Sequence, residues 1–310
     1  MLPLRRGPKI PVAFLNGQLL PYNHAHLALH DAGFVMGATV TDLCRTVRHC
    51  LYRWDDHFAR FRNSCRAAQI HPRISDDELT RTAHELVAHN TALLKPQEDL
   101  ALVVFVTPGP IGYYAGSDAG AGDAPPTFGM HTFPLPFRRY QRLFWEGAHL
   151  VTPATRQIPA QCIDPRIKQR SRLHWWLADR EVHAQHPGAM ALLLDDHDHL
   201  TETAAANVLL VYAGTVLSPP RDTILGGVSL LVVEELCREL GISFVERPLT
   251  VEDAQKADEI MLTSTPYGVA GVSRFNGVPL PWPGAIFQRL LAAWSEKIGL
   301  DIRGQIDDGA

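Results

Sequence analysis

The segment DPRIKQRSRLHWW, residues 164–176, sets Lys168 among Arg166, Arg170 and Arg172. The chain carries five lysines against twenty-four arginines, so a lysine in this company asks for a reason beyond charge. Arginine brings a positive charge too, but it neither gives up its proton nor forms an imine, and a primary amine does both. Three cations nearby would lower the amine's pKa below its usual ~10.4, because like charge disfavours the protonated form. The plain alternative is a solvated basic strand or helix end.

Other residues carry comparable potential. Glu202 lies in HLTETAAAN, inside an otherwise apolar strand pair, where a carboxylate is costly to bury without a cationic or protonated partner. A protonated pyridine nitrogen would serve, and so would an arginine. ILGGVSLLVVEEL runs two glycines into an amphipathic helix with Ser229 in its first turn. Such an end offers free N–H groups and a favourable dipole to an anion, although Gly-Gly before a helix is also ordinary loop chemistry. LTSTP, residues 262–266, suits a phosphate or a turn, and Arg60 in DDHFARF suits a phosphate or a solvated helix face. His24, His26 and His30 have metal-like spacing but no accompanying carboxylate pattern, so no metal site is expected. DDHDH, residues 195–199, reads as a solvated turn. Gly120 and Gly122 fail as a dinucleotide fingerprint because Pro125 takes the third glycine position and no helix follows. GxSxG, P-loop and HExxH motifs are absent, which removes support for three large hydrolase classes.

These residues must be positioned by a soluble, globular chain. At 310 residues, 46% hydrophobic and 20% charged, it is long enough for one large or two medium domains with real cores. The formal charge of -4 gives no reason to expect a nucleic acid or an anionic membrane as partner. No apolar run approaches the ~20 residues of a membrane span, and MLPLRRGPKIPVAFLNG lacks the apolar core of a signal peptide. Five scattered cysteines without a CxxC pair (44, 50, 65, 162, 237) point to a reduced, cytoplasmic protein without a zinc ribbon.

VAFLNGQLL reads as a hairpin turned by Asn-Gly, ATVTDLCRTVRHCLYRW as two further strands, and DDHFARFRNSCRAAQI as a helix. A helix over 75–93 and a buried strand LALVVFVTP follow, then a Gly-, Ala- and Pro-rich loop over 109–126. TFPLPFRRY marks a connection, which divides the chain into a small N-terminal domain (1–133), a linker (134–142) and a larger strand-rich domain (143–310) expected to carry Lys168. In that second part strands and helices do not alternate regularly, so the fold class is α+β. GVSLLVVEELCREL and AIFQRLLAAWSEKIG are its expected helices.

Taken in order, DDHFARFRNS, IKQRSRL, LTETAAANVLL, ILGGVSL and ADEIMLTST resemble the class IV family of pyridoxal-phosphate-dependent aminotransferases. That family includes branched-chain and D-amino-acid aminotransferases, (R)-amine transaminases and aminodeoxychorismate lyase. The resemblance runs from FLNGQLLP to VSRFNGVPL. It implies the two-domain class IV fold, the cofactor pyridoxal 5'-phosphate, an amino donor and a 2-oxo acid as substrates, and a homodimer whose active site lies between the domains near the subunit interface. Lys168 falls on the Schiff-base lysine and Glu202 on the partner of the pyridine nitrogen. Arg60, Ser229, Thr265 and the backbone of Val228 fall on the phosphate-binding positions. The sequence also departs from its relatives. Arg172 stands where branched-chain enzymes have a tyrosine, VTPGPIGYYAG lacks the Arg-x-His carboxylate trap of D-amino-acid enzymes, and TDL (Thr41 to Leu43) replaces FEG. Thr41, Arg45, Tyr113 and Tyr114 are candidate substrate-pocket residues. A lyase of the aminodeoxychorismate type is the alternative reading, and a relative that has lost catalysis is a third.

Overall fold

The computed structural model describes residues 10–308, and the chain divides into two compact units. The first ends at Leu135 and takes in Lys168–Ser171; the second comprises Pro136–Ile167 and the chain from Arg172 onward. The signal-peptide reading rests largely on residues 1–9, which lie outside the described residues.

The first unit contains β1 (Val12–Leu15), β2 (Gln18–Pro21), α1 (Ala32–Val35), β3 (Val40–Val47), β4 (Cys50–Leu51), α2 (Trp54–Ala68), α3 (Asp76–Thr91), β5 (Leu100–Thr107) and β6 (Thr127–Pro134). Its six strands form one sheet in the order β2-β1-β6-β5-β3-β4, antiparallel throughout. Asn16 and Gly17, with φ of 47° and 87°, make the tight β1–β2 turn that matches the twist of a two-residue hairpin. Directly opposed residues share a face, so the register sorts the side chains. Asp42, Leu102, Val104, Val106, Phe128 and Met130 lie on one face and are buried. There α2 packs Phe61 against Phe128, and Asn90 of α3 bonds the backbone of Val12 and the Thr132 hydroxyl. The other face carries Thr41, Leu43, Phe105, Gly129 and His131, of which Leu43, Phe105 and His131 are half-buried.

Residues 168–170 join this sheet beside the start of β3, through a Val40–Gln169 bridge. Thr41 N–H donates to Lys168 O at 2.9 Å and Arg170 N–H to Thr39 O at 3.0 Å. These bonds explain why Lys168, expected in the C-terminal domain, belongs by its contacts to the first unit.

The second unit contains α4 (Gln141–Trp145), β7 (Ala148–Val151), α5 (Leu173–Gln185), β8 (Met190–Leu194), β9 (Leu200–Thr203), β10 (Asn207–Tyr212), β11 (Thr215–Ser218), α6 (Val228–Glu239), β12 (Phe244–Glu246), α7 (Val251–Lys256), β13 (Glu259–Ser264), β14 (Gly268–Phe275), β15 (Val278–Pro279), α8 (Ala285–Ile298) and α9 (Ile302–Asp308). Strand order is β12-β11-β10-β13-β14-β7-β8-β9, and β9 also pairs β10, which closes six strands into a ring. Helices α6 and α8 pack on β13 and β14, and α5 on β8. The mixture of antiparallel and parallel pairs confirms the α+β class. The segment expected to be a linker holds the end of β6, a 3-10 turn at Phe137–Arg139 and the start of α4. Helix α5 was not expected, because its apolar residues surround it: Trp175, Ala178 and Val182 are buried, while Leu173, Trp176 and Leu177 are exposed.

Candidate active site

In the first unit, the site is built where α2 crosses β3. Trp54, His57, Phe61, Ser64 and Cys65 form the buried stripe of α2, a spacing of three and four that turns one helix face inward. Arg60 lies one turn beyond His57. Its Nε and Nη2 donate to the two oxygens of Asp42, each at 2.8 Å, a bidentate fork with good geometry for a charge-assisted pair. His57 Nδ1 lies 2.8 Å from Asp42 Oδ1. Burial alone would raise the Asp42 pKa, but the Arg60 charge and the bonds from His57 and Arg60 outweigh it and hold the carboxyl well below its usual range. Burial lowers the His57 pKa; Asp42 opposes this, and the charges of Arg60 and Lys168 add to it.

Lys168 is fixed from two sides. Its N–H donates to Ser64 Oγ of α2 at 3.1 Å, and its carbonyl accepts from Thr41 of β3. Of the four described lysines, Lys95, Lys256 and Lys297 are exposed and Lys168 is half-buried. Lys256 pairs with Glu252 at 2.5 Å and Lys297 with Glu239 at 2.6 Å.

In the second unit, the β9–β10 hairpin sets Glu202 opposite Asn207. Asn207 Nδ2 donates to Glu202 Oε2 at 3.0 Å and to Leu225 O at 2.9 Å, and Leu225 N–H donates to Glu202 Oε1 at 3.3 Å. The carboxylate is thus aimed by an amide and a backbone donor. Two residues on, Gly227 caps α6 without a side-chain cap bond. The first bond of the helix is Leu231 N–H to Gly227 O at 3.0 Å, which leaves the N–H groups of Val228, Ser229 and Leu230 without an intrahelical acceptor. An added Cβ on Gly226 would meet open space, whereas one on Gly227 would stand 2.1 Å from Asn207 Oδ1. Thr265 follows β13 in the turn to β14 and is half-buried; its neighbour Ser264 donates to Ala205 O at 2.6 Å. Arg172 Nη2 donates to Ala204 O. Glu202, the α6 N-terminus, Thr265 and Arg172 therefore gather around one hairpin and its neighbours.

The remaining candidates divide. Thr41 is buried, and its hydroxyl donates to Val104 O at 2.9 Å. Arg45 is buried, donates to Thr46 O at 2.9 Å and lies 3.7 Å from the buried carboxylate of Asp99. Tyr113 and Tyr114 are exposed on the 3-10 turn Gly112–Ala115, with ring centroids 4.4 Å apart. Arg166 pairs with Asp164 at 2.8 Å, so its charge is answered locally. His24 and His26 are exposed, and no metal-ligand cluster occurs among the described residues. Sequence reasoning missed Asp42, His57 and Asn207 as site residues. A carboxylate in an apolar strand, eighteen residues before an arginine on a helix, was the available signal for Asp42, and only the strand register selects it.

A model of the amino-transferase class IV family matches residues 39–275, well over half the chain. The chain is 27% identical over 266 residues to the putative branched-chain-amino-acid aminotransferase of Methanocaldococcus jannaschii, covering 85% of this chain and 88% of that protein. It is 27% identical over 263 residues to the D-alanine aminotransferase of Bacillus licheniformis, covering 84% and 87%. Its fold is similar to the branched-chain aminotransferase of Thermoproteus uzoniensis, solved with norvaline, with a TM-score of 0.81, 21% identity and coverage of 95% of each chain. A half-buried lysine clamped to helix and sheet, an aimed carboxylate and an uncapped helix end thus occur in a chain that belongs to the class IV aminotransferases, enzymes of pyridoxal-phosphate-dependent transamination.

Proposed function

We propose that this chain transfers an amino group between an amino acid or amine and a 2-oxo acid, with Lys168 as the lysine that binds pyridoxal 5'-phosphate. The observation that carries the reading is Lys168 itself, half-buried and held by Ser64 and Thr41 in the frame that also carries Arg60.

The donor set fits the cofactor. Lys168 offers an amine for an aldehyde, Glu202 a carboxylate for a ring nitrogen, and the α6 N-terminus unbonded N–H groups for a phosphate. When bound, the cofactor supplies that aldehyde and a protonated ring that withdraws electrons from the substrate Cα. Lys168 Nζ would bind that aldehyde and, with substrate present, would move the Cα proton. Glu202, oriented by Asn207 and Leu225, keeps the ring nitrogen protonated because a nearby negative charge favours the cationic form. Val228 N–H, Ser229, Thr265 and Arg60 bind the phosphate, and Arg172 orients the hairpin through Ala204 O.

The enzyme acts as a homodimer in the cytoplasm. In support, the segment around α1 exposes Leu29 at 83%, Phe34 at 73% and Met36 at 61%, a concentration of apolar surface that suits an interface. No helix among the described residues is long and apolar enough to cross a membrane, and Cys44, Cys50, Cys65, Cys162 and Cys237 are free thiols, as in a reducing compartment. The relatives named above carry aminotransferase names, which does not favour the lyase reading.

Borohydride reduction of the purified holoenzyme followed by peptide mapping tests the assignment. The label is expected on Lys168, and Lys168→Ala should lose both the visible chromophore and turnover. A label on Lys9, Lys95, Lys256 or Lys297 would sink it.

A further inference from the structure

Arg170 differs from Arg60, Arg45 and Arg166. Arg60 is engaged by Asp42, Arg45 by Asp99 and Arg166 by Asp164. Arg170 has no carboxylate at ion-pairing distance among the described residues, and its recorded bond is a long one, Nη2 to Thr41 Oγ1 at 3.5 Å. A guanidinium carries five donors, so most of this one's capacity is open to solvent or to a ligand.

The residue is exposed, and the protein around it lowers its pKa by partial desolvation. It lies on the half-buried face of the first unit's sheet, with Thr41 on β3 and His131 on β6. His131 has its pKa lowered by burial and then by the Arg170 charge, and its buried Nδ1 has no hydrogen-bond partner. An exposed guanidinium and a buried imidazole nitrogen thus stand close together with no acidic neighbour among the described residues, a pairing that suits an anion.

The position identifies the anion. Lys168 and Arg170 are two residues apart on an extended segment bridged to β3, so their side chains leave on the same side, about 6–7 Å apart at the backbone. We infer that Arg170 binds a carboxylate of the substrate whose amino group reacts at Lys168, and so selects acidic substrates. This rests on Lys168 being the cofactor lysine. The carboxylate is either the one on Cα or a second one at the far end of the substrate, and the fork binds both by the same geometry.

Calorimetric titration of the holoenzyme with glutarate, butyrate and glutaramide tests this without turnover. Both acids should bind more tightly than the diamide if the Cα carboxylate is the ligand, and glutarate alone if the distal one is. Arg170→Leu should weaken that binding about 10- to 100-fold, the range for a lost charged hydrogen-bond pair, with the visible chromophore retained. Arg170→Lys, which keeps charge but not the fork, should fall between; it also serves should the leucine variant not fold. Wild-type affinity in both variants, or acids bound no better than glutaramide by the wild type, overturns the inference. A holoenzyme labelled at another lysine would instead overturn the cofactor assignment, which the titration does not read.

Discussion

Replacing Asp42 by Asn removes one charge from a buried pair without changing its shape. At the 2.8 Å separation of Arg60 and Asp42, an effective dielectric of ~20 gives about 6 kcal/mol of gross attraction. Much of this is offset by desolvation, and breaking one partner of such a pair costs about 3–5 kcal/mol. Asn keeps an acceptor for one arm of the fork, so about 2–4 kcal/mol is expected, or roughly 5–15 °C in Tm for a chain of this size. The informative comparison is between cofactor-free and cofactor-saturated protein. If Arg60 binds the phosphate, the phosphate replaces the lost negative charge, and the deficit with saturating pyridoxal phosphate should shrink to less than half of that without it, because ligand binding adds stability to the native state alone. Differential scanning calorimetry on both proteins in both states measures this. Equal deficits with and without cofactor would separate Arg60 from the phosphate and leave the pair as scaffold; no deficit at all would refute the energetic reasoning.

Three further outcomes are expected. Glu202→Gln should slow the half-reaction by ~10²-fold, on the order of 3 kcal/mol, and lower Tm by a few degrees because one oxygen facing the Asn207 and Leu225 donors becomes an amide; single-turnover absorbance decides, and near-normal rates with a lowered Tm would leave Glu202 purely structural. Arg45→Met should cost about 1–3 kcal/mol in urea unfolding, because it removes the cation beside the buried Asp99 carboxylate, which keeps its bonds from Thr46, Arg48 and His49, while leaving KM unchanged; a raised KM would support Arg45 as a substrate-pocket residue. For His57, burial holds the folded pKa below the unfolded value of ~6.5. Protons therefore favour the unfolded chain: the contribution is present above pH ~6.5 and is lost as pH falls from there toward the folded pKa. The Tm drop between pH 7.5 and 5.5 should be smaller in His57→Gln than in the wild type, and identical slopes would contradict the shift.

The hairpin at Asn16-Gly17, the helix bearing Phe58 and Phe61 and the strand LALVVFVTP were legible because each is specified by local backbone preference or by burial periodicity. Helix α5 was not, since Leu173, Trp176 and Leu177 lie on its outer side and erase the contrast between faces. The chemistry divided in the same way. Lys168, Glu202 and the Gly-Gly helix start stand out through residue type against their surroundings. Asp42 does not: its role depends on which strand face α2 covers, a fact of register between β3, β5 and β6. The contact of Arg45 with Asp99 is hidden for the same reason, because nothing local ties two residues fifty-four positions apart.

The contact between Gly227 and Asn207 restricts how this protein can change. A methyl group at 227 would occupy the place of Asn207 Oδ1, and displacing that amide would strip Glu202 of one donor and Leu225 O of its own. Alanine at 227 is therefore admissible only after Asn207 has gone, and Asn207 can go only if some other group takes over Glu202. Three positions in two separate segments thus vary together or not at all. A redesign that seeks a different charge at position 202 must therefore begin at Asn207, and the glycine, which touches no reacting atom, can change only afterwards.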